Sequence, residues 1–218
     1  MRTYGQFCGI AKALDVIGDR WTLLIVRELL ALGPCRHTDL RNGLPGIASN
    51  LLVERLRDLE QAGLIHREPT PPPVATTLFA LTDRGRELES VLRELSRWGM
   101  PLLGEHAAGE SFRTHWLALP VRELTDRTPD RPPVALQLHA DGNEDLVVEV
   151  KDGAVHTHPG RVDDATASLT GPPQLLTALL SGDVDLTGAQ QRGLRLDGDP
   201  QAVLRVLPAD TSAGPAAR

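Results

Sequence analysis

LRNGLPGIASNLLVERLRDLEQAGLI, residues 40–65, decides the fold of this chain. Its spacing predicts a short helix, a Gly/Pro turn, a second and amphipathic helix, and a Gly stop running into a strand. Leu52, Leu56 and Leu59 fall at i, i+4 and i+7, so they share one face of the second helix. The opposite face carries Asn50, Glu54, Arg57 and Gln61. Ser49 and Asn50 stand at its start, where a helix laid in the major groove meets base edges. One apolar side, one hydrogen-bonding side and a tight turn before them fit a helix-turn-helix reader. An ordinary packed helical hairpin carries the same pattern.

Upstream, Ile10, Leu14 and Ile17 repeat at helical spacing as far as Gly18. A second helix over residues 21–32 carries Leu24, Ile25, Val26, Leu29 and Leu30, and Gly33-Pro34 ends it. Residues 36–41 begin a short helix, with Thr38 as the expected N-cap. Downstream of Gly63, residues 64–68 and 76–81 read as two strands joined by the stiff Pro69-Thr70-Pro71-Pro72-Pro73 tip. Two short strands with a projecting tip, directly after the reading helix, predict a wing. Proline has no backbone donor, so the wing would meet phosphate through Arg67, Thr70, Thr76 or Thr77. Thr82 is the expected cap of a further helix. Its stripe of Leu88, Val91 or Leu92, Leu95 and Trp98, prolonged by Leu102 and Leu103, has no evident cover and predicts a homodimer contact.

The net charge of −6 looks wrong for a nucleic-acid binder. It is unevenly distributed: residues 1–104 carry 13 Lys/Arg against 12 Asp/Glu, and residues 105–218 carry 10 against 17. A near-neutral first half binds DNA if its arginines cluster on one face, whereas the acidic second half is a poor DNA partner. No apolar run approaches a membrane span, and the N-terminus does not read as a secretory leader. Two cysteines, Cys8 and Cys35, in such a chain argue against a disulfide scaffold. The expectation is a soluble, cytoplasmic protein with no membrane partner.

After a linker over residues 104–112 the pattern changes. Val134, Leu136 and Leu138 alternate, as do Leu146, Val148 and Val150, with Asp141-Gly142-Asn143 as a turn between them. Lys151-Asp152-Gly153-Ala154 begins another turn, and Ala165, Ala167 and Leu169 make a third alternating run. A helix over residues 172–181, a strand near residues 193–196 and a helix over residues 200–207 complete an α+β unit. The tail from residue 209 is expected to be disordered.

Taken in order, these residues resemble a known family. Cys8, Leu14-Asp15-Val16-Ile17-Gly18-Asp19-Arg20-Trp21 and Leu24-Ile25-Val26-Arg27-Glu28-Leu29 look like the opening of the HxlR family of bacterial transcriptional regulators. Asp39-Leu40, Leu44-Pro45-Gly46-Ile47, Leu56-Arg57-Asp58-Leu59-Glu60, Gly63-Leu64-Ile65, Leu81-Thr82-Asp83-Arg84-Gly85 and the stretch from Leu95 to Trp98 continue it over residues 5–103. The resemblance implies a MarR-like, dimeric winged helix-turn-helix that binds a double-stranded operator. Two positions depart from it: His37 stands where an aromatic is usual, and Ala48 where a Ser cap is usual, leaving Ser49 as the expected replacement cap.

The second half resembles the sterol-carrier-protein-2-like (SCP2-like) domain through Ala165-Thr166-Ala167-Ser168-Leu169-Thr170-Gly171-Pro172, Leu175-Leu176, Leu179-Leu180-Ser181-Gly182 and Gly198-Asp199. That resemblance implies a hydrophobic small-molecule effector. The expected organisation is α+β: a winged helix-turn-helix over residues 1–103, an SCP2-like domain over 112–208 and a tail over 209–218.

For DNA, the reading candidates are Ser49, Asn50, Val53, Glu54, Arg55 and Arg57, since Asn pairs bidentately with adenine and Arg with guanine. Arg36 and Arg41 are better placed for phosphate. Apolar candidates for effector contact are Trp116, Leu136, Val148, Leu176 and Leu180, each of which also reads as core. Cys8 is a redox candidate: the resemblance implies a cysteine that senses oxidants in some relatives, and a thiol near a helix start has a lowered pKa. A disulfide with Cys35 across a dimer stays open beside two ordinary reduced thiols. His156 and His158 share a strand face without supporting ligands and read as solvent-facing, so no metal or cofactor is expected. No Walker loop, GxGxxG, HExxH or GxSxG occurs, and no enzymatic activity is expected. The reading is a ligand-responsive dimeric regulator, a repressor before an activator. A redox regulator using Cys8, with the second domain serving oligomerisation, and a carrier of lipid-like molecules are the alternatives.

Overall fold

The computed structural model describes residues 3–69, 76–103, 109–125, 127–129 and 131–207. The chain divides into two compact units, Met1–Leu95 and Ser96–Arg218. No helix among the described residues is long and apolar enough to cross a membrane.

The first unit opens with α1 (Gly9–Ile17), α2 (Thr22–Leu32), α3 (His37–Gly43) and α4 (Ser49–Gln61). Strands β1 (Ile65–Pro69) and β2 (Thr77–Leu81) form an antiparallel hairpin, with Ile65 opposite Leu81 and Pro69 opposite Thr77. Its tip, Thr70 included, lies outside the described residues, as do residues 104–108 of the expected linker and the whole tail. A short α5 (Asp83–Arg86) and the longer α6 (Leu88–Gly99) follow. Leu52, Leu56 and Leu59 are buried together with Ile25, Val26 and Leu29 of α2, Leu40 of α3 and Phe79 of β2. Each such side chain contributes about 1.5–3 kcal/mol when fully buried.

Cys35 exchanges both backbone hydrogen bonds with Phe79, at 3.1 and 2.8 Å, and so extends the hairpin as a short third segment. Thr82 caps α5 as expected, accepting from the Gly85 N–H at 3.1 Å. Thr38 does not cap α3: the helix starts at His37, and the Asp39 carboxylate turns back to accept the Arg36 N–H at 2.9 Å. A carboxylate at that position does the job expected of Thr38, with the helix dipole in its favour. Ser49 does not take over the cap of α4 either. Ala48 occupies that position in extended conformation, and no side chain caps the helix. On α6 the inward residue is Leu92, while Val91, Leu95 and Trp98 are exposed. Ile10 and Leu14 of α1, with Phe7 just before it, are exposed too, and only Ala11 of that helix is buried.

In the second unit a 3-10 turn (Thr114–Leu117) leads into α7 (Ala118–Leu124). A five-stranded sheet is built from β3 (Val134–Ala140), β4 (Leu146–Lys151), β5 (Ala154–Pro159), β6 (Ala167–Gly171) and β7 (Arg195–Gly198), in the order β5-β4-β3-β6-β7. All neighbours are antiparallel except β3 and β6, which run parallel with Leu136 opposite Ala167 and Leu138 opposite Leu169. Asp152 and Gly153, at φ 50° and 75°, make the tight β4–β5 turn that right-twisted strands require. Helices α8 (Pro173–Ser181), α9 (Leu186–Gln191) and α10 (Pro200–Val206) complete the unit. α9, which hydropathy alone does not mark, is capped by Asp185 through the Gly188 N–H at 2.6 Å. On β3 Leu136 and Leu138 are core as expected and Val134 is half-buried; on β4 Leu146, Val148 and Val150 are buried, but so is Val147 between them, which breaks the alternation there. The fold is mixed α+β.

Candidate nucleic-acid interface

The turn between α3 and α4 is held from below. Leu44 and Ile47 are buried, Ile47 N–H donates to Leu44 O at 3.1 Å, and Gly46 takes φ 88°, a left-handed conformation that favours glycine. Beneath the end of α3, the fully buried Glu28 pairs with Arg27 at 2.6 Å. Arg27 Nη2 also donates to Gly43 O at 3.4 Å. Burial lowers the Arg27 pKa from its ordinary value, and the Glu28 charge pulls it back only in part.

With Leu52, Leu56 and Leu59 turned inward, α4 leaves Ser49, Asn50, Val53, Glu54 and Arg57 exposed. Arg36 and Arg41 are exposed on and beside α3. In the hairpin, Arg67 is exposed but pairs with Glu60 at 3.1 Å, its guanidinium 5.6 Å from the centre of the Phe79 ring. Thr77 is exposed and Thr76 half-buried. Asparagine and arginine on the outer face of a helix, preceded by a tight turn and flanked by two arginines, can hydrogen-bond base edges while the flank holds phosphate.

Arg55 stands apart from this face. Its Nη1 lies 2.7 Å from Asp19 and 2.6 Å from Asp58, and its Nη2 2.8 Å from Glu54. The side chain is only 14% exposed. From the sequence, Asp19 stands out only through its place in a motif; the signal for its role is a charged residue in the turn before a long apolar helix.

His37 is half-buried, and its Nε2 finds no hydrogen-bond partner among the described residues. Cys8 is exposed at the start of α1, where the backbone N–H groups of Ala11 and Ile10 lower its pKa. Cys35 is buried, and burial first, then the Asp39 and Glu28 charges, push its thiol up to about 12.

In the second unit, Leu136, Val148, Leu176 and Leu180 are buried, Leu136 and Val148 as cross-strand partners, and Trp116 is half-buried with its ring edge-on to Phe112. A cavity of about 490 Å³ opens elsewhere, its walls including Val134, Ala135, Glu149, Lys151 and His156. His156 and His158 are exposed on β5, and among the described residues no three His, Cys, Asp or Glu side chains gather as a metal site.

Residues 16–107 match the HxlR-like helix-turn-helix family. The chain is similar to the uncharacterised HTH-type transcriptional regulator YvaP of Bacillus subtilis, 37% identical over 87 residues that span 40% of this chain and 80% of YvaP. It is 33% identical to the HTH-type transcriptional regulator YodB of Bacillus subtilis over 87 residues, 40% of this chain and 77% of YodB. Among solved structures, the redox regulator HypR in its oxidised form is 30% identical and superimposes with a TM-score of 0.40, covering 46% of this chain and all (100%) of that one.

Proposed function

Since the chain belongs to the HxlR-like helix-turn-helix family of DNA-binding transcriptional regulators, which are not enzymes, we propose that it works as a homodimer reading an operator with α4. The observation that carries this reading is the outer face of α4. Asn50, Glu54 and Arg57 point away from the buried leucine stripe, with Ser49 and Val53 beside them and Arg36 and Arg41 on the flank. The first-turn N–H groups of α4 have no side-chain cap, which suits a phosphate there. Arg67, Thr76, Thr77 and Thr70 supply the wing's contacts. The exposed apolar residues of α1 and α6 supply the dimer seam, because apolar faces of this kind are rarely left in water. Bound across an operator, such a dimer occludes it and represses.

The domains of this reading are residues 1–103, 112–208 and a tail over 209–218. The second is an SCP2-like sensor for a hydrophobic effector, which a five-stranded sheet with an apolar helix-backed face supports. Trp116, Leu136, Val148, Leu176 and Leu180 are its contact candidates. Four of them, Leu136, Val148, Leu176 and Leu180, are buried, so an effector enters by displacing part of this core rather than by filling an open tunnel. It shifts the dimer only as far as it binds the DNA-competent and DNA-free shapes unequally.

A second reading has a specific observation behind it. The exposed Cys8, whose pKa the backbone N–H groups of Ala11 and Ile10 lower, suits an oxidant sensor. The test is selection of duplexes from a randomised library by the purified protein, then titration of the enriched duplex. Arg57→Ala should weaken binding by about 1–3 kcal/mol and relax the preference at one base pair. Failure to enrich any sequence overturns the proposal.

A further inference from the structure

The turn joining α1 to α2 touches both the approach to the recognition helix and the helix itself. Gly18 closes α1 through its N–H to Leu14 O at 2.9 Å, and Thr22 N–H donates to Asp19 O at 3.2 Å. Between them Trp21, which is not glycine, holds φ 81°. A side chain in that region costs energy and persists only where its surroundings over-determine it. The surroundings are specific. The Trp21 ring lies under Gly46, 3.9 Å from where a Cβ there would stand, and the Arg20 guanidinium sits 5.3 Å from the ring centre. Two residues earlier, Asp19 reaches α4 and binds Arg55 at 2.7 Å.

Arg55 is the most enclosed member of its cluster. Its side chain is 14% exposed, whereas Asp19, Glu54 and Asp58 around it are 66%, 59% and 43% exposed. A guanidinium has a planar fork of five donors, and this one spends both terminal nitrogens on three carboxylates. To reach a base edge it would have to abandon three charge-assisted bonds and leave three carboxylates unneutralised beside the DNA. Glu54 and Asp58 belong to α4 and move with it. Asp19 does not. Beside the buried leucine stripe and the Glu60–Arg67 pair, the Asp19–Arg55 pair is therefore a link that helps fix how α4 is rotated about its own axis against the rest of the unit.

We infer that Asp19 and Arg55 are positioning residues, which aim the reading face of α4 without themselves touching a base. The inference rests on α4 being the DNA-reading helix. It carries an unusual sign. Removing a carboxylate near a DNA-binding face ordinarily strengthens binding, because the phosphate backbone repels it. If Asp19 aims α4, its removal weakens specific binding instead.

The probe is the duplex enriched by the wild-type protein from a randomised library, with an unselected duplex of equal length as control. Asp19→Ala should bind the enriched duplex about tenfold more weakly, as expected of coupled neighbours, and the unselected duplex as well as wild type or better. Asp19→Asn, which keeps an oxygen within reach of the guanidinium, should recover part of the loss. Arg55→Ala should weaken specific binding while the slope of log K against log salt stays at the wild-type value. Asp19→Ala binding the enriched duplex as tightly as wild type overturns the inference. So does a salt slope that falls by about 1 in Arg55→Ala, the mark of a lost phosphate contact. A wild-type protein that enriches nothing counts against the DNA reading, and amide exchange then judges the clamp alone. Asp19→Ala should speed exchange over residues 48–58, and unchanged exchange overturns the clamp.

Discussion

The Glu28 carboxylate occupies the space that a side chain at Gly43 would need: a Cβ there would stand 2.6 Å from Glu28 Cδ and closer still to Oε2. A fully buried acid on α2 and a glycine at the end of α3 are thus fitted to one another directly beneath the turn into the recognition helix. Gly43→Ala should destabilise the first unit by about 1–3 kcal/mol, the usual cost of overpacking, because Glu28 is held by Arg27 and has nowhere exposed to retreat. Glu28→Gln should cost about 3–5 kcal/mol, since it removes the charge from the carboxylate that pairs with Arg27 inside the unit. Urea denaturation of both variants measures these costs. A Gly43→Ala protein as stable as wild type would show that Glu28 moves aside freely.

Ile10→Glu and Leu95→Glu place charge on the exposed apolar faces of α1 and α6 without disturbing the buried core. Each should leave the thermal transition of the first unit nearly unchanged while converting dimer to monomer in sedimentation equilibrium. A wild-type protein that sediments as a monomer at micromolar concentration removes the dimer seam from the proposed function.

The two thiols should titrate apart. Cys8 lies below the ordinary value of 9.0 because two backbone N–H groups favour its thiolate, and Cys35 lies near 12. The thiolate is the reactive form, so the lowered Cys8 keeps reacting at a pH where an ordinary thiol slows. Iodoacetamide at pH 7 should modify Cys8 and spare Cys35 until the protein unfolds, as read by mass spectrometry. Diamide should crosslink dimers through Cys8 alone, with Cys8→Ser abolishing the band and Cys35→Ser preserving it.

His37→Phe should stabilise the protein by about 1 kcal/mol. It replaces a buried nitrogen that finds no partner among the described residues with an apolar ring of similar shape. A lowered Tm in this variant would mean that the imidazole holds a hydrogen bond through a water.

In the second unit, burial opposes ionisation of Asp145, but hydrogen bonds from His139, Arg161 and Gln137 outweigh it and hold the carboxyl below its ordinary value of 3.8. Arg161 Nε and Gln137 Nε2 each lie 2.6 Å from Oδ2, and His139 Nδ1 faces Oδ1. A depressed carboxyl stabilises the fold above the ordinary value, and that contribution is lost as pH falls through the folded value. Asp145→Asn should therefore be less stable than wild type by about 2 kcal/mol at neutral pH. The gap should close as pH falls below the ordinary value of 3.8 and through the lower folded value. A gap independent of pH would assign the residue a purely steric role.

How far residues alone reveal such a molecule depends on whether the deciding contact is local. The stripe Leu52, Leu56, Leu59 and the alternation of Leu136 with Leu138 are legible because helix and strand periods repeat within one segment. Thr82 is legible as a cap because its partner is three residues away. Thr38 misleads because two candidates, Thr38 and Asp39, compete over the same turn, and only the backbone angle at Arg36 decides between them. Arg55 reads as a DNA contact for a different reason. Its local neighbours Glu54 and Asp58 are visible in the sequence, but Asp19 comes from 36 residues away. The Cys35–Phe79 pairing spans a similar gap and leaves no periodic trace.

The parallel pairing of β3 with β6 has a consequence during synthesis. β3 gains one neighbour at once, through the β4 hairpin, but the other arrives only after β5 has been made and the chain has crossed back. Until then a strand of Val134, Leu136 and Leu138 presents a bare edge, which other chains can extend into aggregates. Contacts this distant along the chain also form slowly. From the emergence of β3 and β4 until β6 (Ala167–Gly171) has left the ribosome, the nascent chain therefore holds a completed first unit and a sheet with a sticky edge. Chaperone demand should be concentrated in that window.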